Sequence, residues 1–317
     1  MRTTTTHPDA SRSCEIAKAP GHWITSHEPR LPRTEWRRPV ITFGTLQSDL
    51  AEAGFGTELC LRSGHPTIHV ATRRGAQYQE LPLETFVRAV RPALAELGRA
   101  RPAVYGASLG AYAAVHFGGS IDADIIAAAP QCPAMPELRM RHAQTTPMRH
   151  ADLRTVPRGL GRAVVFWDPH ERPDSILVND FIRPLHPDAV YREYPFAGHK
   201  VLETMARLGV VRDFVLPLLR DMTLVPIELP TTGNPFWHCN FARHLLAQRE
   251  IGAARHHAET SFELRPSPEN IQLLARIFLR EGMVERGRAF RARLEADAAL
   301  RRITFGPARR NLEALLA

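Results

Sequence analysis

The residues best suited to chemistry in this chain lie in Gly106-Ala-Ser108-Leu-Gly110. A serine hydroxyl is a weak nucleophile until a nearby base accepts its proton, so the serine matters only with a partner. Gly-x-Ser-x-Gly by itself arises by chance in about one chain in ten of this length. Its setting strengthens it. Pro102-Ala-Val-Tyr105 reads as a buried strand, and the alanine-rich stretch from Ala111 to Phe117 reads as a helix directly after the serine. A nucleophile on such a strand-turn-helix junction takes a strained positive φ, which only small neighbours tolerate. Gly106, Ala107, Gly110 and Ala111 meet that need. The Leu109 N–H, at the helix N-terminus, would face a developing oxyanion. The plainer alternative is a glycine-rich turn that packs a strand against a helix.

A base must follow, and fifteen histidines are available. His199 stands apart in Phe196-Ala-Gly-His199-Lys, a loop between a last strand and a last helix; most others fall in the leader, an insertion or the tail. The base in turn needs an acid to hold it, expected near the end of the preceding strand. Phe166-Trp-Asp168-Pro-His-Glu-Arg-Pro-Asp174-Ser-Ile-Leu-Val offers two. Asp168 ends the strand and Asp174 stands just past it. Asp174 is preferred and Asp168 is the alternative; the one not used would cap the loop through backbone N–H groups.

These residues need a scaffold. Residues 1–37 read as an irregular leader, polar and proline-bearing, without an apolar targeting stretch. Strands are expected at Pro39–Phe43, Thr67–Ala71, Pro102–Tyr105, Asp124–Ala129, Ala163–Trp167 and Ala189–Tyr194, with a helix over Leu83–Leu97 and a closing amphipathic helix over Val201–Leu219. Alternating strands and helices imply an α/β fold, a mostly parallel central sheet with helices on both faces, spanning residues 38–221. Within it, residues 132–160 are a proline-rich insertion and a candidate cap over a pocket. Residues 222–317 form a small all-α helical-repeat segment. Ala242-Arg-x-Leu-Leu246 and Ala275-Arg-x-Phe-Leu279 align at a spacing of 33, Ala254 falls opposite Gly287, Pro266 sits at the handover, and Asn311–Leu316 is a candidate capping helix.

The order Ser, Asp, His in these strand contexts resembles the α/β-hydrolase superfamily over roughly Arg38 to Leu219, and the tail resembles the tetratricopeptide pattern. The hydrolase resemblance implies acyl transfer on an ester or amide through an acyl-enzyme, with Ser108 as nucleophile, His199 as base and Asp174 as orienting acid. It also implies a second oxyanion donor from the loop after an early strand, here Thr45 beside Leu109. It implies no metal and no organic cofactor. The His-Gly-Gly-Gly motif of lipases is absent.

Composition narrows the partners. The net charge of +8 comes almost wholly from scattered arginines, since Lys18 and Lys200 are the only lysines, and no basic run is interleaved with aromatics. A nucleic-acid reader is not expected, nor is a membrane span, for want of about 20 consecutive apolar residues. The four cysteines (Cys14, Cys60, Cys132, Cys239) show no ligand or disulfide spacing, so buried reduced thiols and a cytoplasmic setting are expected. The partner would be a small-molecule or glycan ester, with a protein partner on the helical tail. Arg139, Arg141 and Arg149 are candidates to meet an anionic substrate, with solvated surface as the plainer role. The rivals are a non-catalytic scaffold protein that uses the repeats, and an acyltransferase or deacylase acting on a glycan.

Overall fold

A computed structural model describes residues 9–98, 100–140, 146–304 and 306–316. The chain divides into two units, one comprising the chain up to Tyr194 together with His199–Ile227, the other Pro195–Gly198 together with the chain from Glu228 onward.

The first unit is built on one eight-stranded sheet. Its strands are β1 (Ala10–Ala19), β2 (His22–Pro29), β3 (Val40–Phe43), β4 (Thr67–Thr72), β5 (Ala103–Ala107), β6 (Asp124–Ala128), β7 (Ala163–Trp167) and β8 (Val190–Glu193), in the spatial order β1-β2-β4-β3-β5-β6-β7-β8. β1 and β2 pair antiparallel, β2 pairs antiparallel with β4, and every pair from β4 to β8 is parallel. β3, β4, β6 and β7 are buried along their whole length, which is why β3 and β7 read as unbroken apolar or β-branched runs and β4 and β6 do so apart from His69 and Asp124.

The connecting helices are α1 (Thr57–Arg62), α2 (Leu83–Leu97), α3 (Leu109–Gly118), α4 (Arg172–Ile176), α5 (Arg183–Leu185), α6 (Val201–Arg207) and α7 (Val211–Asp221). α3 is buried at every residue, so its small side chains are a packing requirement. Phe43 of β3, Tyr78, Phe86 of α2 and Phe117 of α3 form one aromatic cluster, with Phe86 and Phe117 centroids 4.6 Å apart. Arg38, just before β3, ties the far end of the sheet together. It pairs with buried Asp124 of β6 at 2.5 Å and donates to the Leu218 and Leu219 carbonyls of α7.

Two expectations are corrected. The leader expected over residues 1–37 is not irregular where it is described; residues 10–29 supply β1 and β2, while residues 1–8 lie outside the described chain. A strand at the sheet edge buries only part of its surface, so β1 carries polar residues such as Ser11 and Glu15 and lacks the apolar run that betrays an inner strand. The closing helix expected over Val201–Leu219 is two helices, because Gly209 takes φ 79° between α6 and α7. In the candidate cap segment, residues 132–160, Cys132, Ala134, Met135, Leu138 and Leu153 are buried in the main core, and residues 141–145 lie outside the described chain.

The second unit is all-helical: α8 (Pro235–Ala247), α9 (Ile251–Leu264), α10 (Pro268–Glu281), α11 (Val284–Ala296), α12 (Ala298–Ile303) and α13 (Gly306–Leu316). α8 and α10 begin at prolines 33 residues apart, and α9 and α11 begin at the same spacing. Proline suits the first helical position, and Asn234 and Ser267 cap those two starts with their side chains. Ala254 is fully buried, and at Gly287 an added Cβ would lie 2.2 Å from Leu315, so both positions must be small. Phe196 belongs to this unit, packing on Trp237, Phe241 and His244 while its carbonyl accepts a hydrogen bond from Asn240. Among the described residues no helix is long and apolar enough to cross a membrane.

Candidate active site

β5 ends at Ala107, and α3 starts at Leu109, so Ser108 alone makes the turn between them. It adopts φ 55° and ψ −121°, a strained conformation for a residue with a side chain. The flanking glycines make the turn possible. A Cβ on Gly106 would lie 2.1 Å from the Gly110 carbonyl oxygen, and one on Gly110 would lie 2.7 Å from that of Phe43. The turn is also pinned from below, where the Ser108 N–H donates to the Ala128 carbonyl at the end of β6.

His199 follows β8 in the loop before α6, and its Nε2 lies 2.9 Å from Ser108 Oγ. Its Nδ1 lies 3.1 and 3.0 Å from the two Asp174 carboxylate oxygens. A carboxylate accepts only, so Nδ1 carries the proton, and Nε2 is left to accept from the serine hydroxyl. Asp174 is fully buried on α4, just past β7. Asp168 is elsewhere engaged: at the end of β7 its carboxylate accepts the His170 N–H at 2.9 Å. The structure therefore brings together Ser108, His199 and Asp174, and places Asp168 in the loop between β7 and α4.

The electrostatics suit a base. Burial pulls the His199 imidazolium down, but the hydrogen bond and charge of Asp174 outweigh it and hold the ring above its ordinary value. Burial pushes the Asp174 carboxyl up, and donated hydrogen bonds from His199 and Gln131 oppose that rise. No thiol competes as nucleophile: all four cysteines are buried, and burial pushes Cys60 and Cys132 up to about 12.

Ser108 and His199 open on a cavity of about 440 Å³. Leu46, Phe55, Val201 and Leu202 give it apolar walls; Ala107 and Ala128 flank the serine, and Gln47, Gln131, Lys200 and Glu203 are its polar members. None of these wall residues carries a sequence signal of its own. Spacing reveals a nucleophile and its base, whereas a wall is chosen by side chains from several loops.

Two expected participants sit differently. Leu109 is the first residue of α3, directly after the serine turn. Thr45 lines the cavity, but its N–H already donates to Ser48 Oγ at 2.9 Å. That bond arises because Thr45 to Ser48 fold into a tight turn, with the Ser48 N–H donating back to the Thr45 carbonyl. Arg139 and Arg149 are exposed and no part of the cavity wall, and Arg141 lies outside the described residues. Among the described residues no group of three or more His, Cys, Asp or Glu could hold a metal.

No protein-family model matches the chain, and no curated protein matches it in sequence. Some solved structures are similar to it in part. The Glycosylation Associate Protein (Gap123) complex from Streptococcus agalactiae is 15% identical over 66% of this chain, with a TM-score of 0.47; the match spans 47% of that chain. Esterase 2 of Thermogutta terrifontis is 16% identical over 69% of this chain and 97% of its own, with a TM-score of 0.45. A predicted CIB-like hydrolase from Thermoplasma acidophilum is 15% identical over 69% and 100%, with a TM-score of 0.37.

Proposed function

We propose that the first unit is a serine hydrolase that cleaves carboxylic esters through an acyl-enzyme. The observation that carries this reading is the unbroken relay from buried Asp174 through His199 to Ser108, on a strained turn that faces a cavity. Ser108 Oγ attacks the ester carbonyl while His199 Nε2 takes its proton. Asp174 holds the resulting imidazolium in place and offsets its charge. The Leu109 N–H, at the N-terminus of α3, receives the oxyanion. Thr45 joins it only by exchanging its bond to Ser48 Oγ for the oxyanion. The imidazolium then protonates the departing alcohol, and water repeats the sequence on the acyl-enzyme, with the same His199 as base.

The mostly apolar walls favour an uncharged acyl group over a charged one, because an unpaired charge loses solvation there. The second unit, with its 33-residue recurrence, is read as tetratricopeptide-like helix pairs that offer a surface to a protein partner. A panel of p-nitrophenyl esters of increasing acyl length tests the enzymatic reading. Saturable hydrolysis by wild type, lost by at least about a thousandfold in His199→Ala, is the expected outcome. Turnover that survives the histidine substitution would sink it.

A further inference from the structure

Gln131 has no place in the sequence pattern, yet it meets both the serine turn and the acid. It follows β6 after Ala129, which takes φ 45°, and Pro130, a sharp exit that turns the chain back toward β5. Its backbone N–H donates to the Ser108 carbonyl at 3.1 Å. Its side-chain Nε2 donates to Oδ1 of Asp174, the oxygen that also faces His199 Nδ1. The residue is 7% exposed and lines the cavity that holds Ser108 and His199.

We propose that Gln131 is a positioning residue for the relay, fixing the Asp174 carboxylate against His199 and fastening it to the serine turn. This rests on the proposed triad. A buried carboxylate with one donor, His199, could rotate about its last torsion and lose the two-oxygen contact with Nδ1. A second donor on Oδ1 removes that freedom. The choice of an amide is physical. A lysine or arginine here would neutralise Asp174 and weaken its hold on the imidazolium, whereas a neutral N–H orients the carboxylate and leaves its charge directed at His199. Three other charged groups act on the relay and stay in place in the variants below. Glu171 raises His199, Lys200 lowers it, and Asp168 raises Asp174.

The test is the rate at which a fluorophosphonate probe labels the protein, followed across pH, which needs no knowledge of the natural ester. Labelling requires neutral His199, so its acid limb reports that ring. Gln131→Met keeps the volume and loses the donor; Gln131→Asn keeps the donor and shortens its reach by one methylene. Without the second donor the Asp174 carboxylate turns away from Nδ1 and holds the imidazolium less firmly, so the acid limb moves to lower pH, by about half a pH unit. The plateau rate falls roughly tenfold to a hundredfold, the size of one hydrogen bond to a charged group. Rates reduced with the acid limb unmoved in the folded variants would overturn the positioning role, as would rates equal to wild type. If Gln131→Met does not fold, Gln131→Asn decides the question alone. A wild-type protein that does not label at all overturns the triad itself, an outcome distinct from failure of the Gln131 role.

Discussion

Two aspartates compete for one role, and their surroundings separate them. Asp174 is fully buried and touches both His199 and Gln131, so its charge has no outlet but the relay. Asp168 is also buried, but it accepts a backbone N–H in its own loop. Asp174→Asn leaves the ring without a carboxylate to select the Nδ1–H tautomer, and turnover is expected to fall by about 10⁴. Asp168→Asn keeps an Oδ1 to accept the His170 N–H and removes a repulsive neighbour of Asp174, and is expected to stay within about tenfold of wild type. Ester hydrolysis by the two purified variants separates these cases, and a reversed order would move the acid to Asp168.

At the scale of the element, the junction between β5 and α3 carries the argument. Gly106 and Gly110 are each fixed by a backbone oxygen that a Cβ would strike, and neither oxygen can move without breaking the sheet or the helix. Gly106→Ala is therefore expected to destabilise the fold by about 3 kcal/mol, at the upper end for forced overpacking, with thermal melting as the readout. Gly75→Ala offers a control, since its Cβ would meet nothing within 4 Å, though its φ of 83° carries its own smaller strain. This junction was legible in sequence because sterics demand particular residue types at fixed spacing. The inner strands were legible too, from Val40–Phe43 to Ala163–Trp167, because two-sided burial leaves continuous apolar runs. β1 and β2 were not, since β1 is an edge strand and β2, though paired on both sides, is only partly buried, so neither carries a continuous apolar run. The break at Gly209 was masked by apolar residues that keep helical spacing on both sides of it. Gln131 was invisible for another reason: it acts through a contact 43 residues away that no local pattern encodes.

On the scale of the whole first unit, buried histidines set its tolerance of acid. Burial lowers His65 and His186 to about 4, and His69 and His116 to about 3, below the ordinary value of about 6.5. A group depressed by folding stabilises the fold above its unfolded pKa, and that stability is lost as pH falls toward the folded one. Each of the four then costs about 1.4 kcal/mol per pH unit below about 6.5. His199 runs the other way, since its raised pKa adds stability at low pH that is lost as pH rises through the folded value. Burial lowers His22 and His150 as well, so six against one, the balance favours acid unfolding. Melting temperature should drop by about 10 °C or more between pH 7 and pH 5. A flat melting temperature over that range would contradict the buried, neutral state of these rings.

The relay at Ser108 is tested most directly by the mass of the protein after exposure to a fluorophosphonate. The geometry predicts a single adduct, mapped by peptide fragmentation to Ser108, formed by wild type and absent from Ser108→Ala. It also predicts that His199→Ala slows adduct formation by at least about a thousandfold. No adduct on folded wild type, or equal labelling of Ser108→Ala, would contradict it.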